Sequence, residues 1–345
     1  MIGETGFFQK LAVAFPNAVT HFLAYQFEHS SWHGLRFWDV ILPGFMLIAG
    51  TSLAYSYKRQ KELGYSYNDS LKKTLKRSFW LLFWGILIYS VRDGKLNFQM
   101  SNVLTQLSFT LVIAFLFINK TPLVQFIASI CCLLLPEILY RAIHIPGFDK
   151  PFVEFQNFGS FINKSIGIKL DLQHKTNTIN FISSAAHTIW GMMAGQFFMT
   201  RRSAREKMLY LLYGGVFAIV VGVCMDVFNI TPMLKWISTS SFVLVTGGIS
   251  LIVLALSYYI IDGLNRKKNL DFFTIVGMNS IFIYLFFIFI GDKWLNGYMD
   301  TLVGGLLSLA GVSLAVGSAF SCLVVFAIEW YLCYYLYRKK LFFKI

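Results

Sequence analysis

The sequence predicts an all-α, polytopic integral membrane protein with about nine membrane-crossing helices. Three observations predict it: 56% hydrophobic residues against only 14% charged, a mean hydropathy of +0.60 over 345 residues, and long apolar runs separated by polar loops. A helix rises about 1.5 Å per residue and needs about 20 apolar residues to cross the hydrocarbon core. Nine runs approach that length: 37–55, 78–91, 103–118, 123–143, 180–199, 208–228, 240–261, 272–290 and 316–337. The second and third are short, so their helices are expected to extend into flanking polar residues. The Gly-rich piece 305–315 reads as an interfacial lead-in to the last helix. Residues 1–36 form an external amphipathic segment, and 37–345 a single transmembrane domain.

The net charge of +13 would suggest nucleic acid on a soluble chain. Here the basic residues sit mainly in loops, where they orient helices, and no nucleic-acid partner is expected. The loops 56–77, 119–122, 200–207, 262–271 and 338–345 together carry nineteen Lys and Arg, whereas the longer opposite set carries ten. The basic set is expected in the cytoplasm, with residue 1 outside and the C-terminus inside. No cleavable signal peptide is expected, because the N-terminus lacks a basic start and 7–27 is interrupted by Lys10, Pro16, Asn17 and His21. The five cysteines lie in apolar runs without metal-ligand spacing, so neither disulfides nor a metal are expected.

Ionisable residues at bilayer depth are costly and default to functional candidates. Glu137 and Arg141, one helical turn apart, read as a mutually neutralising pair. The densest polar cluster runs from Glu28 to Asp39 and contains His29, Trp32, His33 and Asp39. Two imidazoles and a carboxylate supply a possible base, nucleophile and orienting group; the alternative reading is an interfacial belt with hydrated histidines and headgroup tryptophans. In 183–195, small residues permit close helix approach, while His187 must find a partner or line a wet cavity. Asn279 places an amide in an apolar helix, where it glues helices or orients a substrate. Lys235 and the hydroxyls up to Ser240 and Ser241 form a polar entrance, and helix capping accounts for the hydroxyls.

Four stretches in order, Glu28–Ser56 (EHSSWHGLRFWDVILPGFMLIAGTSLAYS), Asn180–Gln196, Thr231–Val245 and Val276–Tyr284, resemble the heparan-alpha-glucosaminide N-acetyltransferase-like family of membrane acyltransferases, particularly its bacterial branch. The resemblance implies acetyl-CoA as donor on the cytosolic side and a sugar or glycan amine or hydroxyl as acceptor outside. It implies His29 as catalytic, either as acyl-carrying nucleophile or as general base, with Asp39 orienting a catalytic group. His187, Asn279, His33, Trp32 and Ser240 are the expected substrate-binding residues. Lys58, Arg59, Arg201 and Arg202 would suit the phosphates of a CoA donor, although an orientation signal also accounts for them.

The chain departs from the family at Gln106, where members carry an arginine, and at Phe287, where a histidine is frequent. Members also begin with a helix bearing a Leu-Asp-x-x-Arg-Gly motif, whose outer end Met1-Ile2-Gly3 matches. The expected setting is a bacterial inner membrane, with membrane lipids and a homodimeric copy as further partners. Two rival readings remain: a transporter or flippase of a glycan or lipid-linked sugar, and a noncatalytic family member.

Overall fold

A computed structural model of the protein describes residues 2–172, 174–268 and 270–343; of the Met1-Ile2-Gly3 match to the family's first helix, Met1 lies outside them. The described residues are helical, with one isolated antiparallel bridge between His33 and Leu234 and no named strand. They divide into two compact units, 30–35 with 39–266, and 1–29 with 36–38 and 267–345.

The short helices of the second unit come first in the chain: α1 (Phe7–Ala14) and α2 (Ala18–Gln26). The first unit holds α3 (Ile41–Glu62), α4 (Tyr67–Asp93), α5 (Val103–Leu116), α6 (Pro122–Ala142), α7 (Phe158–Ser165), α8 (Phe181–Phe198), α9 (Ala204–Val227) and α10 (Ser240–Tyr258). The second unit resumes with α11 (Asp271–Met278), α12 (Ser280–Leu309) and α13 (Leu314–Arg338).

Helix starts follow local chemistry. Ser66 with Asp69 and Ser203 with Glu206 form capping boxes for α4 and α9, and Asn102 accepts from Leu104 and Thr105 at the head of α5. Thr121 caps α6 ahead of Pro122, which occupies a first-turn position where a missing N–H costs nothing. Inside α6, Pro136 interrupts the hydrogen-bond ladder, and the Leu133 carbonyl one turn earlier accepts from Ser240 Oγ at 3.2 Å.

Lipid offers little hydrophobic drive between helices, so close packing of small residues holds the first unit together. A Cβ added to Gly50 would lie 2.0 Å from the Thr188 carbonyl oxygen, and one added to Gly191 would lie 1.9 Å from that of Leu47. Helices α3 and α8 therefore touch backbone to backbone. Gly215 and Gly248 bring α9 against α10 in the same manner, and Gly85 brings α4 against Thr105 of α5. Met46, Leu47, Leu111, Ile189 and Met192 are fully enclosed around the α3–α8 seam.

Among the described residues, six helices are long and apolar enough to cross a membrane: Phe37–Glu62, Pro122–Ala142, Ala204–Val227, Ser240–Gly263, Ser280–Leu309 and Leu314–Arg338. Length and composition alone thus support six of the nine expected spans. The run 103–118 becomes the shorter α5, and the run 180–199 becomes an 18-residue helix diluted by Ser183, Ser184, His187 and Thr188. The run 272–290 is broken at Asn279 and then continues to Leu309 through π-helical stretches at Phe287–Leu295 and Asp300–Gly304, absorbing much of the expected interfacial piece 305–315.

In the second unit, the 7–27 segment is two helices joined at Asn17, whose side chain and Thr20 form a capping box. Lys10 pairs with Asp300 at 3.4 Å, and the Cys322 thiol donates to the Thr5 carbonyl at 3.3 Å. These contacts seat α1 beside the opening turns of α13.

Candidate functional site

The polar cluster of the first unit lies where the 30–35 segment, the head of α3 and the 229–239 loop meet. Asp39 stands in the turn leading into α3, with its side chain wholly unexposed. Its Oδ1 is 3.0 Å from Lys235 Nζ, and its Oδ2 accepts from the Ser30 backbone N–H at 3.2 Å. The helix start adds a favourable dipole for that carboxylate. Lys235 also lies 4.7 Å from the Trp236 ring centroid, and Trp236 Nε1 donates to the Ser30 carbonyl at 3.0 Å. Both backbone polar groups of Ser30 are therefore clamped, the N–H by Asp39 and the carbonyl by Trp236.

The rest of the segment is pinned as firmly. Trp32 Nε1 donates to the Phe152 carbonyl at 2.9 Å. His33 Nε2 lies 2.8 Å from Asp226 Oδ1, which also accepts from Met233 N–H at 2.7 Å, and Gly34 N–H donates to the Met233 carbonyl. Gly34 has φ +102°, a conformation that side chains rarely adopt. Lys175 reaches the Ser31 carbonyl at 3.3 Å and Glu154 at 3.2 Å. His29 is exposed and precedes the clamped Ser30 peptide in the chain.

Ser240 is placed at the same end of the unit. Its N–H donates to Glu137 Oε1 at 3.1 Å, while Glu137 Oε2 lies 3.4 Å from Arg141 Nε. The pair neutralises itself as the spacing predicts, and in addition it ties α6 to the start of α10. Arg141 also donates to the Ile230 carbonyl and to Thr231 Oγ1.

The structure does not bring His187 to this cluster, and Asn279 belongs to the second unit. His187 is 1% exposed, and its Nε2 lies 3.1 Å from both the Val243 carbonyl and Thr246 Oγ1 of α10. Thr246 Oγ1 donates to Phe242 O at 2.7 Å, so the imidazole N–H is directed to the Val243 carbonyl. Trp190 packs edge-on against the ring. Such a histidine ties α8 to α10. Asn279, in the second unit, donates through Nδ2 to the Leu341 carbonyl and accepts from Phe343 N–H, both at 3.1 Å. It thereby holds the segment that follows α13.

The opposite end of the first unit collects the basic loops. Lys58 and Arg59 are exposed on the last turns of α3, and Arg201 and Arg202 are exposed between α8 and α9. Tyr57 meets Asn119 there, and Lys207 donates to the Phe198 carbonyl at 2.7 Å. The basic loops 56–77, 119–122 and 200–207 thus gather at one end of this unit.

A cluster not singled out from the sequence lies at the end bearing Ser30. His174 Nδ1 is 2.6 Å from Asp171, its Nε2 is 3.1 Å from Arg92 and 3.5 Å from Asp93, and the ring is buried. Burial raises the Asp93 pKa, but hydrogen bonds from Arg92 and Asn97 outweigh it and hold the carboxyl below its ordinary value. The Asp-x-x-His spacing at 171–174 was the signal available.

Six apolar helices long enough to cross a membrane, among the described residues, fit an integral membrane protein with a buried polar cluster at one end of its first unit. The family model for the catalytic region of heparan-alpha-glucosaminide N-acetyltransferase matches residues 12–223, and the chain belongs to that family of membrane acetyltransferases. It is also 40% identical over 62 residues to the mouse heparan-alpha-glucosaminide N-acetyltransferase, a stretch covering 18% of this chain and 10% of the mouse protein.

Proposed function

We propose that the protein is a membrane acyltransferase that moves an acetyl or other short acyl group from a CoA thioester to a sugar or glycan amine or hydroxyl. The donor is met at the basic, cytoplasmic end, where Lys58 and Arg59 face its phosphates. The acceptor is met at the external end, beside the 30–35 segment. What supports this reading, beyond membership of the family, is the Asp39 clamp. A carboxylate fully removed from solvent, satisfied by an ammonium and a backbone N–H, is an expensive way to hold a loop unless its position matters.

His29 is the reactive group. As general base it takes a proton from the acceptor amine or hydroxyl while the acceptor lone pair attacks the thioester carbonyl carbon. The C–S bond then breaks and the CoA sulfur recovers the proton from the imidazolium. As nucleophile the imidazole attacks first, CoA leaves as thiol, and the acceptor then displaces the acyl group from the ring nitrogen. Asp39 is a positioning residue, holding the peptide that follows His29, and Trp32, His33 and Ser240 shape the surrounding loops.

The test is acyl transfer by purified protein in lipid nanodiscs, with radiolabelled acetyl-CoA and a panel of amino sugars. Wild-type protein should transfer label and His29→Ala should not, while both bind donor alike. Full transfer by His29→Ala would overturn the assignment. Donor-only incubation that leaves label on His29 would select the covalent route.

A further inference from the structure

Within the first unit, a groove of about 930 Å3 opens between α6 and α9. That is near the top of the range for ligand pockets, roughly 300–1,000 Å3. Phe126 and Leu134 of α6 and Leu211 and Phe217 of α9 form its walls, over a floor that includes Trp190 and Leu244. On α6 it runs from Pro122 to Arg141, about 28 Å at 1.5 Å per residue. A hydrocarbon core is about 30 Å thick, so the groove follows the bilayer through its depth.

Its two ends differ in charge. At the Ile230 end Arg141 is balanced by Glu137. At the other end Lys120, Arg201, Arg202 and Arg205 are exposed around Pro122 and Thr200. The facing carboxylate there, Glu206, is engaged by the N–H and Oγ of Ser203. The Arg202 guanidinium lies 5.0 Å from the Tyr210 ring centroid and 5.8 Å from that of Phe197, and both rings line the groove. Cation–π attraction therefore parks a positive charge over the groove mouth.

A second observation falls at the same end of the groove. Gln125 is fully buried and lines the groove. Its Nε2 lies within hydrogen-bond distance of Gln196 Oε1 and the Phe117 and Lys120 carbonyls, whereas its Oε1 has no hydrogen-bond partner among the described residues. A buried acceptor left unmatched is costly, and a ligand carrying a donor would relieve it.

We infer that this groove is a binding site for an anionic phospholipid of the phosphatidylglycerol class, in the leaflet facing the 200–207 loop. The chains lie between α6 and α9, the phosphate meets Arg201 and Arg202, and a headgroup hydroxyl supplies the donor for Gln125. Apolar walls, excess positive charge at one mouth and an unmatched acceptor beside it fit all three parts of such a lipid. Arg201 and Arg202 are accordingly assigned to this groove and not to the CoA donor.

The experiment uses the full-length protein in nanodiscs of equal phosphatidylglycerol and phosphatidylcholine. After transfer to mild detergent, native mass spectrometry reads the retained lipid. Phosphatidylglycerol should be retained about tenfold over phosphatidylcholine, a difference near 1.4 kcal/mol. A Cβ on Gly214, which lines the groove, meets nothing within 4 Å. Gly214→Phe should therefore remove most of the retained lipid without shifting the melting temperature in phosphatidylcholine alone. Arg201→Gln/Arg202→Gln should equalise the two lipids. Equal retention by the wild-type protein, or a preference unchanged in both variants, overturns the site. Displacement of the lipid by CoA would give the groove to a nucleotide donor, and disulfide cross-linking between two Gly214→Cys copies would give it to a second chain; either outcome defeats the proposal.

Discussion

Asp39 and Lys235 are 196 positions apart in sequence and 3.0 Å apart in space, and removing either leaves the other buried without its ion-pair partner. Asp39→Ala should cost about 3–5 kcal/mol, read from equilibrium unfolding in detergent, and Lys235→Met should cost a similar amount. The double variant should lose distinctly less than the sum, because neither charge is stranded. Additive losses would show that the pair is not coupled. His33 differs: its side chain is 60% exposed, and Asp226 keeps the Met233 N–H when the imidazole is gone. His33→Asn should change stability by less than about 1 kcal/mol and leave transfer largely intact, in contrast to His29→Ala. For Asp93 the sign follows from its depressed pKa. Its stabilising contribution is present above the unfolded value of about 3.9 and is lost as pH falls through the folded value. The melting temperatures of wild-type protein and Asp93→Asn should therefore differ at neutral pH and converge in strong acid.

Among the helices, the seams make contrasting predictions from one residue type. Gly191→Ala would drive a methyl into the Leu47 carbonyl and should destabilise by about 1–3 kcal/mol or more, whereas Gly214→Ala meets open space and should be neutral or slightly stabilising, since Ala is the better helix former. Thermal melts of the two variants decide it; equal effects would deny the α3–α8 seam. Asn279→Leu should release the 341–343 segment, read as faster hydrogen exchange there. Helix existence was legible because apolar length is a one-dimensional signal. Other features were not. The break at Asn279 and the π-helical turns of α12 change hydrogen-bond register without changing composition. The short α5 and polar α8 pack inside protein, so neither needs a lipid-facing stretch of full length. For the site, Trp32, His33, Asp39 and Ser240 could be read from their density at one mouth. The Asp39–Lys235 pair and the His174 cluster could not, since both depend on loops brought together by folding.

At the scale of the molecule, the basic loops 56–77, 119–122 and 200–207 gather at one end of the first unit, and that end is expected in the cytoplasm. Single cysteines introduced at Gly64 and Leu172 in a cysteine-free background report this, because both positions are exposed. An impermeant thiol reagent on intact cells should label position 172 and spare 64; the reverse would invert the protein. The backbone contact at Gly50 and Gly191 bears on how an acyl group could cross between the ends of this unit. Side chains can slide past one another by changing rotamer, but carbonyl oxygens and α-carbons in contact have no such freedom. Helices α3 and α8 must therefore travel as a single plank in any opening and closing cycle. Since the turn carrying Asp39 is joined to that plank, the clamp at one end and the basic turn of Lys58 and Arg59 at the other keep a constant separation. Alternation between the two faces then falls to the helices around them, with α3 and α8 as the stationary frame.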